Sequence, residues 1–89
     1  MSSIVYADAF VEDVSRIYSE RVLEALDKRL AAIEAFPALG SSDIRPSLSE
    51  RYGPGLRKFP VPPFVIIYRY TEAADRLEFI TLPYDQTIT

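Results

Sequence analysis

Gly55-Leu56-Arg57-Lys58-Phe59-Pro60-Val61 leads into Phe64-Val65-Ile66-Ile67-Tyr68-Arg69-Tyr70, and these two runs decide the fold. Both are rich in β-branched and aromatic residues, which predicts two strands. Pro60, Pro62 and Pro63 cannot donate to a sheet ladder, so the first strand belongs at an edge or beside a loop. In the second strand side chains alternate, placing Phe64, Ile66, Tyr68 and Tyr70 on one face and Val65, Ile67, Arg69 and Thr71 on the other. Both faces are apolar, and such a strand needs two covers. The bulkier, more aromatic set is assigned to the helices. Val65, Ile67 and Arg69, with Lys58 from the neighbouring strand, then line a shallow concave face that is the candidate site. Either a partner protein covers this face, or Val65 and Ile67 are core beneath the chain's own 38–55 segment.

Outward from these strands the chain reads as a helical half followed by a meander. Ile4-Val5-Tyr6-Ala7 predicts an opening strand, and Asp8 offers an N-cap carboxylate after it. Phe10, Val14, Ile17 and Tyr18, then Val22, Leu26, Leu30 and Ile33, follow helical spacing up to Phe36-Pro37. One rod from Asp8 to Ala35 would be roughly 40 Å long, so a corner is expected, with Ser19 capping the second helix beside Glu20. Gly40 to Gly55 reads as irregular, with one helical turn over residues 46–50. Glu72-Ala73-Ala74-Asp75 makes a turn, and Arg76 to Leu82 is the last strand, stopped by Pro83. The expected architecture is α+β, a single domain over residues 1–89: two N-terminal helices packed on one face of an antiparallel sheet of about four strands.

Composition narrows the chemistry. With no Cys and no His among 89 residues, disulfides, thiolate nucleophiles, His-based triads and the commonest metal sites are not expected, nor is any cofactor. No run is long enough to cross a bilayer and no secretory leader is visible, so the expected location is the cytoplasm. Net charge is −3, but unevenly spread: residues 1–50 carry five basic and nine acidic side chains, residues 51–89 five and four. From Arg45 to Arg69 the charges are Arg45, Glu50, Arg51, Arg57, Lys58 and Arg69, a basic zone in an acidic protein. Such a zone suits an anionic partner, or simply keeps a strand edge soluble.

The order Ile4-Val5-Tyr6, Glu12-Asp13-Val14 with Ile17, then Leu26, Leu30, Ile33 and Phe36-Pro37-Ala38-Leu39-Gly40, followed by Gly55 to Val61 and Ile66-Ile67-Tyr68-Arg69, resembles the RelE/ParE superfamily of bacterial toxins, and its ParE-like, plasmid-stabilisation branch in particular. No single piece is specific, but together they cover nearly the whole chain. The resemblance implies the toxin half of a type II toxin–antitoxin pair, held inactive by a cognate antitoxin whose other part binds operator DNA. In the RelE-like branch, what is implied is ribosome-dependent mRNA cleavage, with an arginine just ahead of the strand core and further basic groups stabilising the phosphate in flight. This chain has Val65 at that position, and Leu82-Pro83-Tyr84-Asp85-Gln86 where a His- or Arg-containing end is expected. In the ParE-like branch the implied action is growth inhibition by binding DNA gyrase, without catalysis, and it does not need the missing arginine.

The candidate residues follow from both readings. If the chain is a nuclease, Arg57, Lys58, Arg69 and Tyr84 are the groups available. If it is a binding protein, Lys58, Val65, Ile67, Arg69 and Tyr84 form the partner surface. A net acidic chain argues against a ribosomal RNA target, since phosphate contacts dominate such affinity, and an inert toxin-derived interaction module is a third possibility. Asp8, Glu12 and Asp13 are read as complementing a helix start. Gly53-Pro54-Gly55 is a turn without the context of a phosphate-cradling loop. Tyr6, Tyr18, Tyr68 and Tyr70 fall at packing positions, leaving Tyr52 and Tyr84 as the exposed tyrosines.

Overall fold

A computed structural model describes residues 3–85. The chain runs β1 (Ser3–Tyr6), α1 (Asp8–Ser15), α2 (Glu20–Ala35), a 3-10 turn (Pro37–Leu39), α3 (Pro46–Tyr52), β2 (Leu56–Val61), β3 (Phe64–Thr71), a second 3-10 turn (Glu72–Ala74) and β4 (Arg76–Thr81). The corner between α1 and α2 falls where the sequence predicts it. The Ser19 hydroxyl accepts from the Val22 amide at 3.4 Å. No side chain caps α1, whose N-cap is Ala7 rather than Asp8; Asp8 instead lies in the first turn, where its charge complements the helix dipole. Ile17 is buried in the corner, but Tyr18, expected to pack, is 92% exposed, because the helical spacing that would turn it inward stops at Ser15.

The sheet order is β1-β4-β3-β2, and β1 runs parallel to β4, so the sheet is mixed rather than antiparallel throughout. The reason lies in the connections. β2, β3 and β4 are joined by short turns and pair antiparallel. β1 is followed by two helices that cross one face of the sheet, and such a crossover lets it return beside β4 in the same direction. Register sets Ile4 opposite Leu77 and Tyr6 opposite Phe79.

The helix face matches the predicted alternation. Ile66 and Tyr68 join Leu77, Phe79, Phe10, Ile17, Leu26 and Ile33 in the main core, with Phe64 and Tyr70 packed at its margin. Phe79 is ringed by Tyr6, Phe10 and Tyr68 with centroids at 5.4, 5.6 and 6.1 Å, a distance range typical of favourable aromatic pairs. Asp13, read from sequence as a helix-start charge, sits in the last half of α1 and serves another purpose. Its Oδ2 accepts from the Thr81 hydroxyl and the Leu82 amide, both at 2.9 Å, tying α1 to the end of β4.

The opposite face carries a smaller core of Leu56, Val65, Ile67 and Ile80, covered by Ile44, Leu48 and Tyr52 from α3 and its approach. The second cover is therefore supplied in part by the chain itself. Tyr52 is half-buried there, not exposed. Pro46 opens α3 at its first turn and Gly53, with φ of 91°, closes it in a conformation that favours glycine.

Candidate functional site

α3 covers Ile67, which is 1% exposed, but leaves an opening beside it. The opening is a cavity of about 460 Å³, floored by Val65 and Ile67, walled by Ile44 and Leu48, and rimmed by Arg45, Lys58, Tyr84 and Asp85. Its far wall is the segment after β4, which continues alongside the start of β3: the Val65 amide donates to the Pro83 carbonyl at 3.0 Å and the Asp85 amide to the Pro63 carbonyl at 2.9 Å. Tyr84 pairs across to Phe64, ring centroids 4.9 Å apart, and is 70% exposed at the mouth.

Lys58 reaches the cavity because β2 alternates, with Leu56 and Lys58 on the α3 side and Arg57 and Phe59 on the helix side. Its backbone is fixed by a two-way pairing with Ser41, N to O at 2.9 Å and O to N at 2.8 Å. Among the described residues its ammonium has no hydrogen bond or ion pair. With Arg45 it makes two cations on a rim that also holds the acidic Asp85, above an apolar floor.

Four of the sequence-selected residues are thus brought together: Lys58, Val65, Ile67 and Tyr84. Two are not. Arg57 lies on the far face of β2, its Nη1 donating to the Gly40 carbonyl at 2.7 Å and the Ala38 carbonyl at 3.4 Å. Arg69 is four residues beyond Val65, about 13 Å along an extended strand, and its guanidinium is committed. Nε donates to the Pro54 carbonyl at 3.1 Å, Nη2 donates to the Tyr52 carbonyl, and Glu78 pairs with Nη1 at 3.5 Å. Arg69 therefore anchors the end of α3 to the sheet. The residues that sequence reasoning did not select, Ile44, Arg45 and Leu48, come from the segment read as mostly irregular. A signal was present: Ile44, Leu48 and Tyr52 recur every fourth residue, the spacing of one helical stripe.

An open four-stranded mixed sheet with two helices on one face, and a short helix half-covering the other above a basic-rimmed cavity, defines the class of this fold. The family model described as the ParE toxin of the type II toxin–antitoxin system, parDE, matches residues 4–82. The chain belongs to this family, within the RelE/ParE toxin superfamily. Among solved structures it is similar to a chain of the intact E. coli RelBE toxin–antitoxin complex, with a TM-score of 0.68 and 13% identity over 97% of this chain and 99% of that one. It is also similar to the isolated E. coli RelE toxin, with a TM-score of 0.73 and 11% identity over 97% of this chain and 86% of that one. At such identities the likeness is one of fold. No curated protein is significantly similar in sequence.

Proposed function

We propose that this toxin acts in the ParE-like manner, by binding DNA gyrase rather than by cutting RNA, and that a cognate antitoxin neutralises it by covering the cavity face around Lys58, Val65, Ile67 and Tyr84. Operator DNA is contacted only through the antitoxin, and the target lies in the cytoplasm. The observation that carries the reading is the state of the cationic groups. By its resemblance to the superfamily the chain has Val65 where the nuclease branch is expected to carry its arginine, and Val65 lines the cavity floor. Of the nearest substitutes, Arg57 lies on the far face of β2 with Nη1 on the Gly40 carbonyl, and Arg69 is held by the Tyr52 and Pro54 carbonyls and by Glu78. Phosphoryl-transfer catalysis needs several donors converging where charge develops; of the residues selected for such a role Lys58 and Tyr84 alone reach this cavity, and Arg45, the other cation of the rim, has an interaction of its own. A net charge of −3 further disfavours a ribosomal target. The RelBE complex, a toxin bound to its antitoxin on the same fold, supports the partner assignment.

Expression of the chain without antitoxin tests the reading. Growth arrest with a DNA-damage response and intact transcripts is expected. Arrest with mRNA cut at codon positions would replace gyrase by the ribosome, and unimpaired growth would leave an inert interaction module.

A further inference from the structure

α3 lies on the sheet without joining it. Its backbone hydrogen bonds stay within its own segment, from Leu48 and Ser49 to the Arg45 carbonyl and from Gly53 to the Ser49 carbonyl, and among the described residues none reaches β2, β3 or β4. It is held by apolar contact of the half-buried Ile44, Leu48 and Tyr52 with Leu56, Val65, Ile67 and Ile80, and by the Arg69 side chain on the Tyr52 and Pro54 carbonyls. The cavity of about 460 Å³ alongside leaves this packing incomplete on one flank. The two ends of the segment differ. At Ser41 the two-way backbone pairing with Lys58 moors its start to β2. At its end the chain turns through Gly53, with φ of 91° and ψ of −177°, and Gly55, with φ of 80°. Both conformations favour glycine, the residue that also leaves them at the least steric cost.

A moored start, a glycine pair at the end and one polar clamp are the parts of a hinge with a latch. We propose that residues 44–55 form a hinged flap, latched by Arg69, that gates the Leu56, Ile67 and Ile80 part of the sheet face. The closed form dominates, because opening returns buried apolar side chains to water. Opening also joins Leu56 and Ile80 to the cavity floor at Val65 and Ile67 in one apolar strip. The latch stays with the sheet when the flap leaves: Arg69 stands on β3 and its Nη1 pairs with Glu78 of β4 at 3.5 Å, which keeps the guanidinium placed for reclosure. The flap is a property of this chain and does not depend on which cellular target it has.

The chain has no cysteine, so a single introduced thiol gives a clean measure of opening. Ile80→Cys places it beneath the flap, and Leu77→Cys places it on the same strand but in the main core. Each full-length variant is labelled with iodoacetamide across a low-urea series, and its labelling rate is compared with the rate that its own global unfolding predicts. Ile80→Cys should label at least about tenfold faster than global unfolding allows, with a shallow urea dependence, because a flap exposes less surface than the whole chain. Leu77→Cys should label at its global unfolding rate. Adding Arg69→Met should speed Ile80→Cys labelling about a further tenfold, the equivalent of one charge-assisted contact. Gly53→Ala should act in the same direction, since alanine disfavours the closed backbone at that position. If Ile80→Cys does not fold, Leu56→Cys, also beneath the flap, takes its place. Labelling of the flap thiol only through global unfolding, or an Arg69→Met effect equal at both thiols, would overturn the inference and leave α3 a fixed cap.

Discussion

The Tyr68 phenol donates to the Pro37 carbonyl at 2.7 Å and accepts from the Gly40 amide at 2.8 Å, so one side chain from the middle of β3 fixes the exit of α2 to the sheet. Gly40 has no room for a side chain there: a Cβ would stand 2.6 Å from the Tyr68 hydroxyl and 2.8 Å from the Lys58 carbonyl. Gly40→Ala is expected to cost about 1–3 kcal/mol in urea denaturation, and Tyr68→Phe should not relieve it, because the Lys58 carbonyl stays in the way. Tyr68→Phe alone strands a buried amide and carbonyl and should cost about 1–3 kcal/mol. Burial pushes the Tyr68 phenol above its usual range, with the Gly40 amide and the Arg57 cation opposing the shift. A raised folded value means that the phenol's contribution is complete below the unfolded tyrosine pKa of about 10 and is lost as pH rises through the folded one. Unfolding free energy should therefore fall above about pH 10, and less steeply in Tyr68→Phe, as denaturant titrations across that range would measure.

Two elements are held by single side chains. Asp13 joins α1 to the end of β4, and Asp13→Ala leaves the Leu82 amide and the Thr81 hydroxyl without their acceptor, an expected loss of about 1–3 kcal/mol that Asp13→Asn should largely avoid. Arg69 holds the C-terminal end of α3, so Arg69→Met should speed amide exchange over residues 46–53 by more than it does in α1 and α2. A uniform change across all helices would mean that Arg69 supports the whole fold instead. The sequence made the helix pair, the corner at Ser19 and the β2–β3–β4 meander legible, because period and turn chemistry are local signals. The roles of Asp13 and Arg69 were not legible, since each depends on a partner brought near by the fold: Asp13 meets Thr81 across nearly the whole chain, and Arg69 meets carbonyls, which carry no sequence identity. The site was legible by half for the same reason. Alternation put Lys58, Val65 and Ile67 on one face, but only the three-dimensional arrangement reveals that Arg57 is drawn to the Gly40 carbonyl on the other and that Arg69 is already tied to the end of α3.

At the scale of the whole molecule, the two sheet edges differ. On β2, Ser41 occupies the backbone of Lys58, Pro60 lacks a donor, and the Pro60 carbonyl accepts from Arg29 Nε at 3.2 Å, so this edge is closed by the chain itself. On β1, Ser3 and Ala7 donate inward to Asp75 and Phe79, which turns the backbone groups of Ile4 and Tyr6 away from β4. The side chains of Ile4 and Tyr6 are 38% and 46% exposed. The parallel seat of β1 was the one part of the topology hidden in the sequence, because nothing local to Ile4-Val5-Tyr6 names a partner more than 70 positions away. Synthesis runs from the N-terminus, and the seat of the first strand is the last strand to be made. The growing chain becomes this protein only after Arg76–Thr81 has emerged, because until then its first strand has no place to dock.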